Sequence, residues 1–427
     1  MEPGTRNHSV DTLIDHLFRQ HSGRMLSALT RLLGSRNLAL AEEVVQESLV
    51  AALQHWPFQG VPSNPSAWLI QVAKNRALDR LRRDRSFAER EPDVIATFEA
   101  RASAPVGAGT AQHDRPFEDD ELCMMVMACH PDIPRESRVA LTLKTVGGFS
   151  VPEIARAFLA QEATIAQRLV RVKKLIRERD IPLDLPVASE MPARLDSVLE
   201  VLYLMFNEGY AAHAGESLVR HDLVHEAIRL ARVLTRHPAT GSPKTHALLA
   251  LMLLHAARIP AREDAGRDLF VLEEQDRGAW DRSLIAEGMH HLDASARGDV
   301  VSTYHLQAGI AACHVVAPSY AATNWQEIVS LYDALLDVEP TPVVALNRAI
   351  ALSRTEGAAA GLRALEPLAD DPTLSRYYLF HATRGELCRE IGDLAVAARH
   401  YALALTFPSP EPVRRFLQRK LESTRVT

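Results

Sequence analysis

The sequence has no long hydrophobic segment. Hydrophobic residues make up 47% of its 427 residues, yet no apolar run is longer than that from Ala247 to Leu254. That run is far shorter than the roughly 20 residues that a membrane-spanning helix needs. The N-terminus also lacks a basic stretch that leads into an apolar one, which is the pattern of a secretion signal. We therefore expect a cytoplasmic protein without membrane contact.

Cysteine pairs and the motifs of catalysis are missing too. The four cysteines include no CxxC pair, which argues against a disulfide framework and a thiolate zinc site. There is no P-loop, dinucleotide-binding fingerprint or nucleophile elbow. The best candidate metal ligands are His213, His221, His225 and Glu226. His221 and His225 share a helical face, but no HExxH pattern supports zinc. We therefore predict that the protein is not an enzyme and holds no metal or other cofactor.

An excess of positive charge, which is typical of nucleic-acid-binding proteins, is also absent. The formal net charge is −6. Residues 1–180 carry 24 Lys and Arg against 23 Asp and Glu, whereas the remainder carries 24 against 31. A nucleic-acid-binding surface would have to come from local basic clusters in the N-terminal part.

Helical periodicity dominates the sequence, apart from a short stretch near Asp268 to Leu272 whose pattern predicts extended backbone. This pattern predicts an all-α protein. Segments rich in Pro, Gly or small residues predict linkers at 87–116 and 181–192. The domains predicted between them are residues 10–86, 117–180, 193–301 and 302–424.

The last predicted domain consists of helix pairs. Residues 324–357 suggest a helix, a Pro turn, a second helix and a Gly stop, and residues 377–412 repeat this order with Gly392 and Asp393 at the turn. These pairs resemble tetratricopeptide repeats (TPR), although their spacing is irregular. Earlier in the extension, Gly209 of the FNEGY segment either ends a helix as its C-cap or belongs to a site that docks the N-terminal modules.

Two consecutive helices are predicted in the first domain. On the first, Glu43, Gln46, Glu47 and Val50 share a face that is acidic and could dock a basic protein surface. The second begins at Pro65 and has an apolar stripe of Ile70, Ala73, Ala77 and Leu81. Its other side carries Asn75, Arg76, Asp79, Arg80, Arg82 and Arg83. Arginine can bind phosphates and Asn can read base edges, whereas the alternative is a solvated basic helix.

The second domain contains a predicted helix-turn-helix motif. Ser150 and Glu153 form a capping-box pattern before a short helix, and a turn follows at 159–162. The next helix has an apolar stripe of Ile165, Leu169, Val172 and Ile176. Thr164, Gln167, Arg171 and Lys174 lie on the opposite side, where Gln and Arg suit base reading and Lys suits phosphate binding.

Residues 41–57 (AEEVVQESLVAALQHWP) and 60–83 (GVPSNPSAWLIQVAKNRALDRLRR) together resemble region two of extracytoplasmic-function (ECF) sigma factors of the sigma-70 family. The helix-turn-helix resembles region four of the same family. The turn of that motif differs from the commoner pattern and resembles a subgroup with a C-terminal TPR-like extension. Segments such as FNEGY and LNRA carry the resemblance over nearly the whole chain.

The resemblance implies binding to core RNA polymerase, at the clamp of the largest subunit and the beta flap, and to promoter DNA in double-stranded and melted form. The implied core-binding residues are Glu43, Gln46, Glu47 and Val50. The implied minus-ten residues are Asn75, Arg76, Asp79, Arg80 and Arg83, with the loop Gln59 to Asn64 holding a flipped base. The implied minus-thirty-five residues are Thr164, Gln167, Arg168, Arg171 and Lys174.

The acidic extension is expected to contact the sigma modules and to regulate them. The alternative function is that of a TPR-fused helix-turn-helix regulator that does not bind polymerase. The acidic helix disfavours this alternative, since a simple repressor has no use for such a face.

Overall fold

A computed structural model describes residues 25–424 except 27, 31–32, 35–36, 84–118, 180, 182–185, 188, 212–217, 264–265 and 267. Among these residues, helices account for the regular structure, and the extended backbone forms just one isolated antiparallel bridge, between Glu263 and Leu269. The all-α prediction is confirmed. No described helix is both long enough and apolar enough to cross a bilayer. Residues 10–24 of the first predicted domain and the linker at 87–116 lie outside the described residues.

The chain divides into two compact units, Met1–Val201 (unit 1) and Leu202–Thr427 (unit 2). Six helices of unit 1 have both of their ends described, and the first half of a seventh also belongs to this unit. They are α1 (Leu38–Gln59), α2 (Pro65–Arg83), α3 (Asp120–Ala128), α4 (Arg135–Thr145), α5 (Val151–Ala157), α6 (Glu162–Arg179) and α7 (Met191–Tyr210).

Two groups of helices form in unit 1. Helix α1 packs against α2, where Ala73 and Ala77 of the predicted apolar stripe are buried. Helices α4, α5 and α6 pack on one another. The predicted capping box starts α5, since Ser150 N donates to Glu153 Oε2 at 2.6 Å and Glu153 N donates to Ser150 Oγ at 3.4 Å. Local sequence patterns thus fix both the start of α5 and the buried face of α2.

The first half of α7 belongs to unit 1. Arg194 is buried and donates from Nη1 to the carbonyl oxygen of Val126 in α3 at 3.1 Å. Arg135 Nε lies 2.8 Å from Glu200 Oε2. The unit boundary therefore falls inside a helix, downstream of the linker that the sequence predicted at 181–192.

Unit 2 is built around one helix that is buried on nearly all sides. This helix, α9, includes the apolar run Ala247 to Leu254, and α8, α10 and α11 pack against it. The described helices that lie wholly in unit 2 are α8 (His221–Arg236), α9 (Pro243–Ala256), α10 (Arg282–Ser295), α11 (Thr303–Val316), α12 (Trp325–Val338), α13 (Pro342–Glu356), α14 (Ala358–Leu365), α15 (Tyr378–Glu390), α16 (Leu394–Ala404) and α17 (Glu411–Ser423).

The predicted helix pairs form in the second half of unit 2. Helices α12 and α13 pack together, and α13 stops at Gly357, whose φ is +89°. Helices α15 and α16 form the second pair, with Gly392 at φ +87° in the turn between them. Asp393 Oδ1 accepts a hydrogen bond from Val396 N at 3.1 Å and so caps α16. The turn residues are confirmed, and the TPR-like character stays a prediction.

The prediction that Gly209 can serve as a helix C-cap is wrong. Helix α7 continues through Gly209, which lies against the start of α8. A Cβ atom at this position would stand 2.8 Å from the backbone nitrogen of Val224. Glycine is therefore required here by close packing of backbone and not by a left-handed turn.

Gly209→Ala should lower the free energy of unfolding by about 1 to 3 kcal/mol, because the clash outweighs the better helix propensity of alanine. The control is Gly309→Ala in α11, where the nearest atom is the end of the Leu331 side chain at 3.3 Å. Urea unfolding of both variants tests this, and a stability loss no greater for Gly209→Ala than for the control would contradict the close-packing role.

Candidate nucleic-acid interface

The outer face of α1 carries the residues predicted to bind polymerase. Glu43, Gln46 and Val50 are exposed and Glu47 is half-buried. The buried residues of α1 recur at helical spacing and lie on the other side: Ala41, Val44, Val45, Ser48 and Ala52. The predicted face is thus available to a partner.

Arginines of α2 reach the carboxylates of this face. Arg76 Nη1 lies 3.2 Å from Glu47 Oε2, and Arg80 Nη2 lies 2.7 Å from Glu47 Oε1 and 2.9 Å from Glu43 Oε1. The hydrogen bond from Arg80 lowers the pKa of Glu47 from its usual value, against partial burial and with help from Arg76. We name these four residues the α1–α2 charge cluster. Residues predicted for two different partners therefore share one surface.

The remaining minus-ten residues lie beside this cluster on α2. Asn75 and Asp79 are exposed, and Gln71 Nε2 donates to Asn75 Oδ1 at 3.0 Å. The side chain of Arg83, the last residue of α2, lies outside the described residues. The bond from Gln71 orients the amide that was predicted to read base edges.

An exposed aromatic ring precedes the loop that was predicted to hold a flipped base. Phe58, in the last turn of α1, is 88% exposed. The loop follows at Gly60, whose φ is +83°, and it ends where Asn64 Oδ1 accepts a hydrogen bond from Ala67 N at 3.1 Å. Phe58 directly precedes the predicted loop and was not part of that prediction, and the signal available for it was an aromatic residue next to a loop of small and polar residues.

The two tryptophans of this region have packing roles. Trp56 is buried, and the ring of Trp68 packs edge-on against it with centroids 5.5 Å apart. Trp68 itself is half-buried. The edge-on contact with Trp56 gives Trp68 a role in packing.

Helix α6 presents a polar face of the kind predicted for DNA. Its stripe Ile165, Leu169, Val172 and Ile176 is buried, as the sequence predicted. The predicted base-reading and phosphate-binding residues on the opposite side are exposed: Thr164, Gln167, Arg171 and Lys174. Lys174 Nζ lies 3.6 Å from Glu178 Oε1, a contact between two exposed groups that water can replace.

Arg168 is held within its own module. Its Nη2 lies 2.5 Å from Glu136 Oε2, and its guanidinium stands over the Phe158 ring at 5.4 Å from the centroid. These contacts tie α6 to α4 and to the end of α5. Arg168 thus differs from the other four residues predicted for the minus-thirty-five element, because it is half-buried and contacts other helices of its module, whereas the other four are exposed.

The turn between α5 and α6 contains a strained residue. Leu159 has a φ of +49°, in the left-handed region that glycine and asparagine adopt more readily. Its side chain is half exposed and therefore gains little from burial. The strained residue lies in the turn whose sequence differs from the commoner pattern.

One contact joins the two helix groups of unit 1. Lys173 of α6 donates a hydrogen bond from Nζ to Glu42 of α1, and both side chains are partly buried. Glu42 lies next to the α1–α2 charge cluster, and Lys173 lies next to Lys174. The predicted polymerase-binding helix and the predicted recognition helix are therefore in direct contact.

Comparison with known proteins identifies the family. Residues 17–87 match Sigma-70 region 2, and residues 194–296 match a family of unknown function, DUF6596. The chain is 30% identical over 159 residues to the ECF RNA polymerase sigma factor SigM of Mycobacterium tuberculosis, covering 37% of this chain and 72% of that protein. The chain belongs to the ECF sigma factor family, within the sigma-70 class. SigL of the same organism is 26% identical over 168 residues, which cover 39% of this sigma factor and 87% of SigL.

The extension of this sigma factor also has a relative. An uncharacterized protein of Rhizobium meliloti is 38% identical over 389 residues, which cover 91% of this chain and 90% of that protein. The two sequences therefore correspond through both the sigma modules and the extension. No solved structure matches the chain.

The histidines of the extension do not assemble a metal site in the part that the structure describes. The rings of His221 and His225 lie 6.1 Å apart, on one face as predicted. No group of three or more His, Cys, Asp or Glu that could hold a metal ion occurs among the described residues. His213 lies outside those residues. The described side chains thus give the zinc hypothesis no support beyond the predicted pair.

Proposed function

We propose that this sigma factor directs core RNA polymerase to bipartite promoters and opens them without ATP hydrolysis. The observation that carries the proposal is the exposed polar row on α6, which lies opposite a fully buried stripe in a helix-turn-helix arrangement. The same unit offers a second exposed surface on α1 and α2, as an initiation factor needs for polymerase and the minus-ten element.

Each surface has a proposed partner. The face of α1 with Glu43, Gln46, Glu47 and Val50 would dock the clamp of the largest subunit, and the helix-turn-helix module would contact the beta flap. Helix α2 with Asn75, Arg76, Asp79, Arg80 and Arg83 would engage the melted minus-ten element. The exposed residues of α6 would read the minus-thirty-five element.

Phe58 supplies a physical route to promoter opening. Stacking of a base on an aromatic side chain is worth about 1 to 3 kcal/mol, which is comparable to the cost of extruding a base from the duplex. An 88% exposed ring beside the loop Gln59 to Asn64 can take such a base without rearranging the core of the unit. Permanganate footprinting of Phe58→Ala with polymerase should show less opening at unchanged closed-complex binding.

The division of labour on α6 can be tested with two alanine variants. Arg171→Ala should cost about 1 to 3 kcal/mol at one base pair and relax specificity there, because Arg reads guanine edges. Lys174→Ala should weaken binding uniformly across sequences, because phosphate contacts carry no sequence information. Affinities for a minus-thirty-five duplex and its single-base variants measure both. Equal losses that do not depend on sequence would refute the assignment.

The competing function is that of an operator-binding regulator that does not bind polymerase. The two functions differ in co-purification with core polymerase and in run-off transcription by purified core. We expect the chain to co-purify with core polymerase and to be required for run-off transcription. Core polymerase that neither binds the chain nor initiates transcription with it would favour the regulator.

We further propose that the extension regulates the sigma modules. Residues 181–427 carry the acidic excess of the chain, whereas α2 and α6 present arginines and lysines, so their attraction is electrostatically favourable. Unit 2 also contains a cavity of about 650 Å³ that is lined by Trp325, Tyr332 and Phe416 among others. A groove of this kind in a TPR-like domain could hold the linker or the region-four module.

A further inference from the structure

Three arginines of unit 2 are gathered in its interior. Arg258 follows α9 and is 8% exposed, Arg262 is 9% exposed, and Arg277 lies half-buried in the short turn before α10. The guanidinium carbons of Arg258 and Arg277 stand 5.7 and 4.5 Å from the centroid of the same Trp280 ring. That of Arg262 stands 3.9 Å from the centroid of the Tyr210 ring.

In the described part of the chain, the hydrogen-bond partners of these guanidinium groups are uncharged, and Arg262 Nη1, for example, donates to the carbonyl oxygen of Tyr210. Among the described residues, none of the three guanidinium groups has a carboxylate oxygen within 4 Å, whereas nearby acidic side chains are occupied by backbone amides. Asp276 Oδ1 accepts from Gly278 N at 2.8 Å, and Asp281 Oδ1 accepts from Ser283 N at 2.9 Å. Unpaired buried charge is costly, so an arrangement of this kind calls for an anion.

Several donors of the cluster also lack an acceptor. Arg277 Nη1 donates to the carbonyl oxygens of His314 and Ala317 at the end of α11, at 2.5 and 2.8 Å. Its Nη2, the Nε of Arg258 and the Nε1 of Trp280 are buried and have no acceptor among the described residues. Water or a bound anion would satisfy these donors.

The pKa shifts of neighbouring side chains indicate a positively charged environment. Burial would raise the pKa of Tyr210, yet Arg262 and Arg258 lower it from its usual value. Burial, together with Arg258, lowers the pKa of His255 to about 3 and that of His314 to about 3. Both histidines are therefore neutral at pH 7, and the positive charge comes from the arginines.

We propose that Arg258, Arg262 and Arg277 bind a dianionic oxyanion, either inorganic phosphate or the phosphate group of a small phosphate monoester. Guanidinium groups match the oxygens of phosphate with paired N–H donors, and two negative charges offset most of three positive ones. A bound anion would join the end of α9, the turn at 277–279 and the end of α11. The site lies wholly in unit 2 and does not depend on the proposed function.

The test is calorimetric titration of the full chain with inorganic phosphate in a chloride buffer of constant ionic strength, together with thermal unfolding. Wild type should bind saturably and unfold at a higher temperature with phosphate. Arg258→Met should abolish both responses and, because it removes a buried unpaired charge, should raise the unfolding temperature without phosphate. Arg258→Lys keeps the charge but loses the paired donors, so it should bind at least about tenfold more weakly.

Two controls separate this site from other effects. Arg229→Met removes an arginine that already pairs with Glu226, and Arg171→Ala alters the proposed DNA surface, so both should keep the phosphate response. Glycerol phosphate distinguishes an ester, which would bind as well as or better than phosphate, from inorganic phosphate alone. A wild-type chain without a saturable response, or an Arg258→Met chain that responds like wild type, would overturn the proposal.

Discussion

Removal of the extension after Tyr210 is expected to change run-off transcript yield by about 5- to 150-fold while core binding persists, which is the usual range of coupling between domains. Core binding should persist because the α1 face lies in unit 1. A lower yield would identify the extension as an activator, and a higher yield as an inhibitor. Wild-type yield from the shortened chain would show that the extension does not regulate initiation.

The point of truncation matters for this experiment. A cut after Pro192 removes Arg194 and the buried residues Val198 and Leu199, which belong to unit 1. Such a chain should unfold more readily, because a buried Leu contributes several kcal/mol. Ending the chain after Tyr210 keeps α7 complete. Thermal unfolding of both fragments is the control that separates lost regulation from lost stability.

Reversal of charge on the α1 face should weaken core binding by at least about 30-fold, since truncating one partner of an interfacial charge pair typically costs 2 to 5 kcal/mol. The variant is Glu43→Arg with Glu47→Arg, measured by pull-down and titration of core polymerase. The matched control, Glu366→Arg on the exposed surface of unit 2, should bind core normally. Normal binding by the reversed variant would show that the docking face is wrongly assigned.

The α1–α2 charge cluster requires one more variant. Reversal at Glu47 also places arginine beside Arg76 and Arg80, so lost binding could come from disturbed packing of α1 on α2. Glu47→Arg combined with Arg80→Glu restores an opposite-charge pair. Core binding that stays weak in this swap assigns the carboxylate to the polymerase, whereas full recovery assigns it to the internal pair.

Local patterns were the part of this structure that the sequence could reveal. The capping box at Ser150 and the buried stripe of α6 depend on neighbours within a few residues, and both are confirmed. The partners of Arg76 and Arg80 could not be predicted, because they depend on how α1 crosses α2. Gly209 was misassigned since composition does not distinguish a cap from a close helix contact.

The arginines of unit 2 illustrate the same limit. Arg258, Arg262 and Arg277 are spread over 20 residues with a bend between them, so no periodic pattern joins them. Only tertiary packing brings two of them to one Trp280 ring. From the sequence alone, each of the three arginines is predicted to lie at the surface, because arginine is mostly exposed in folded proteins.

The contact between Lys173 and Glu42 has a consequence for the salt dependence of promoter binding. DNA binding releases cations from the phosphates, and added salt weakens binding because it reduces the entropy gained by that release. The slope of log affinity against log salt concentration is proportional to the number of phosphates that the protein neutralises. Salt also screens the partly buried Lys173 to Glu42 pair, though less than an exposed pair, and so favours separation of α6 from α1 wherever DNA binding requires that separation. The two effects have opposite signs. If α6 separates from α1 on binding, the slope measured with the free protein will therefore be smaller than the number of phosphates contacted in the final complex implies.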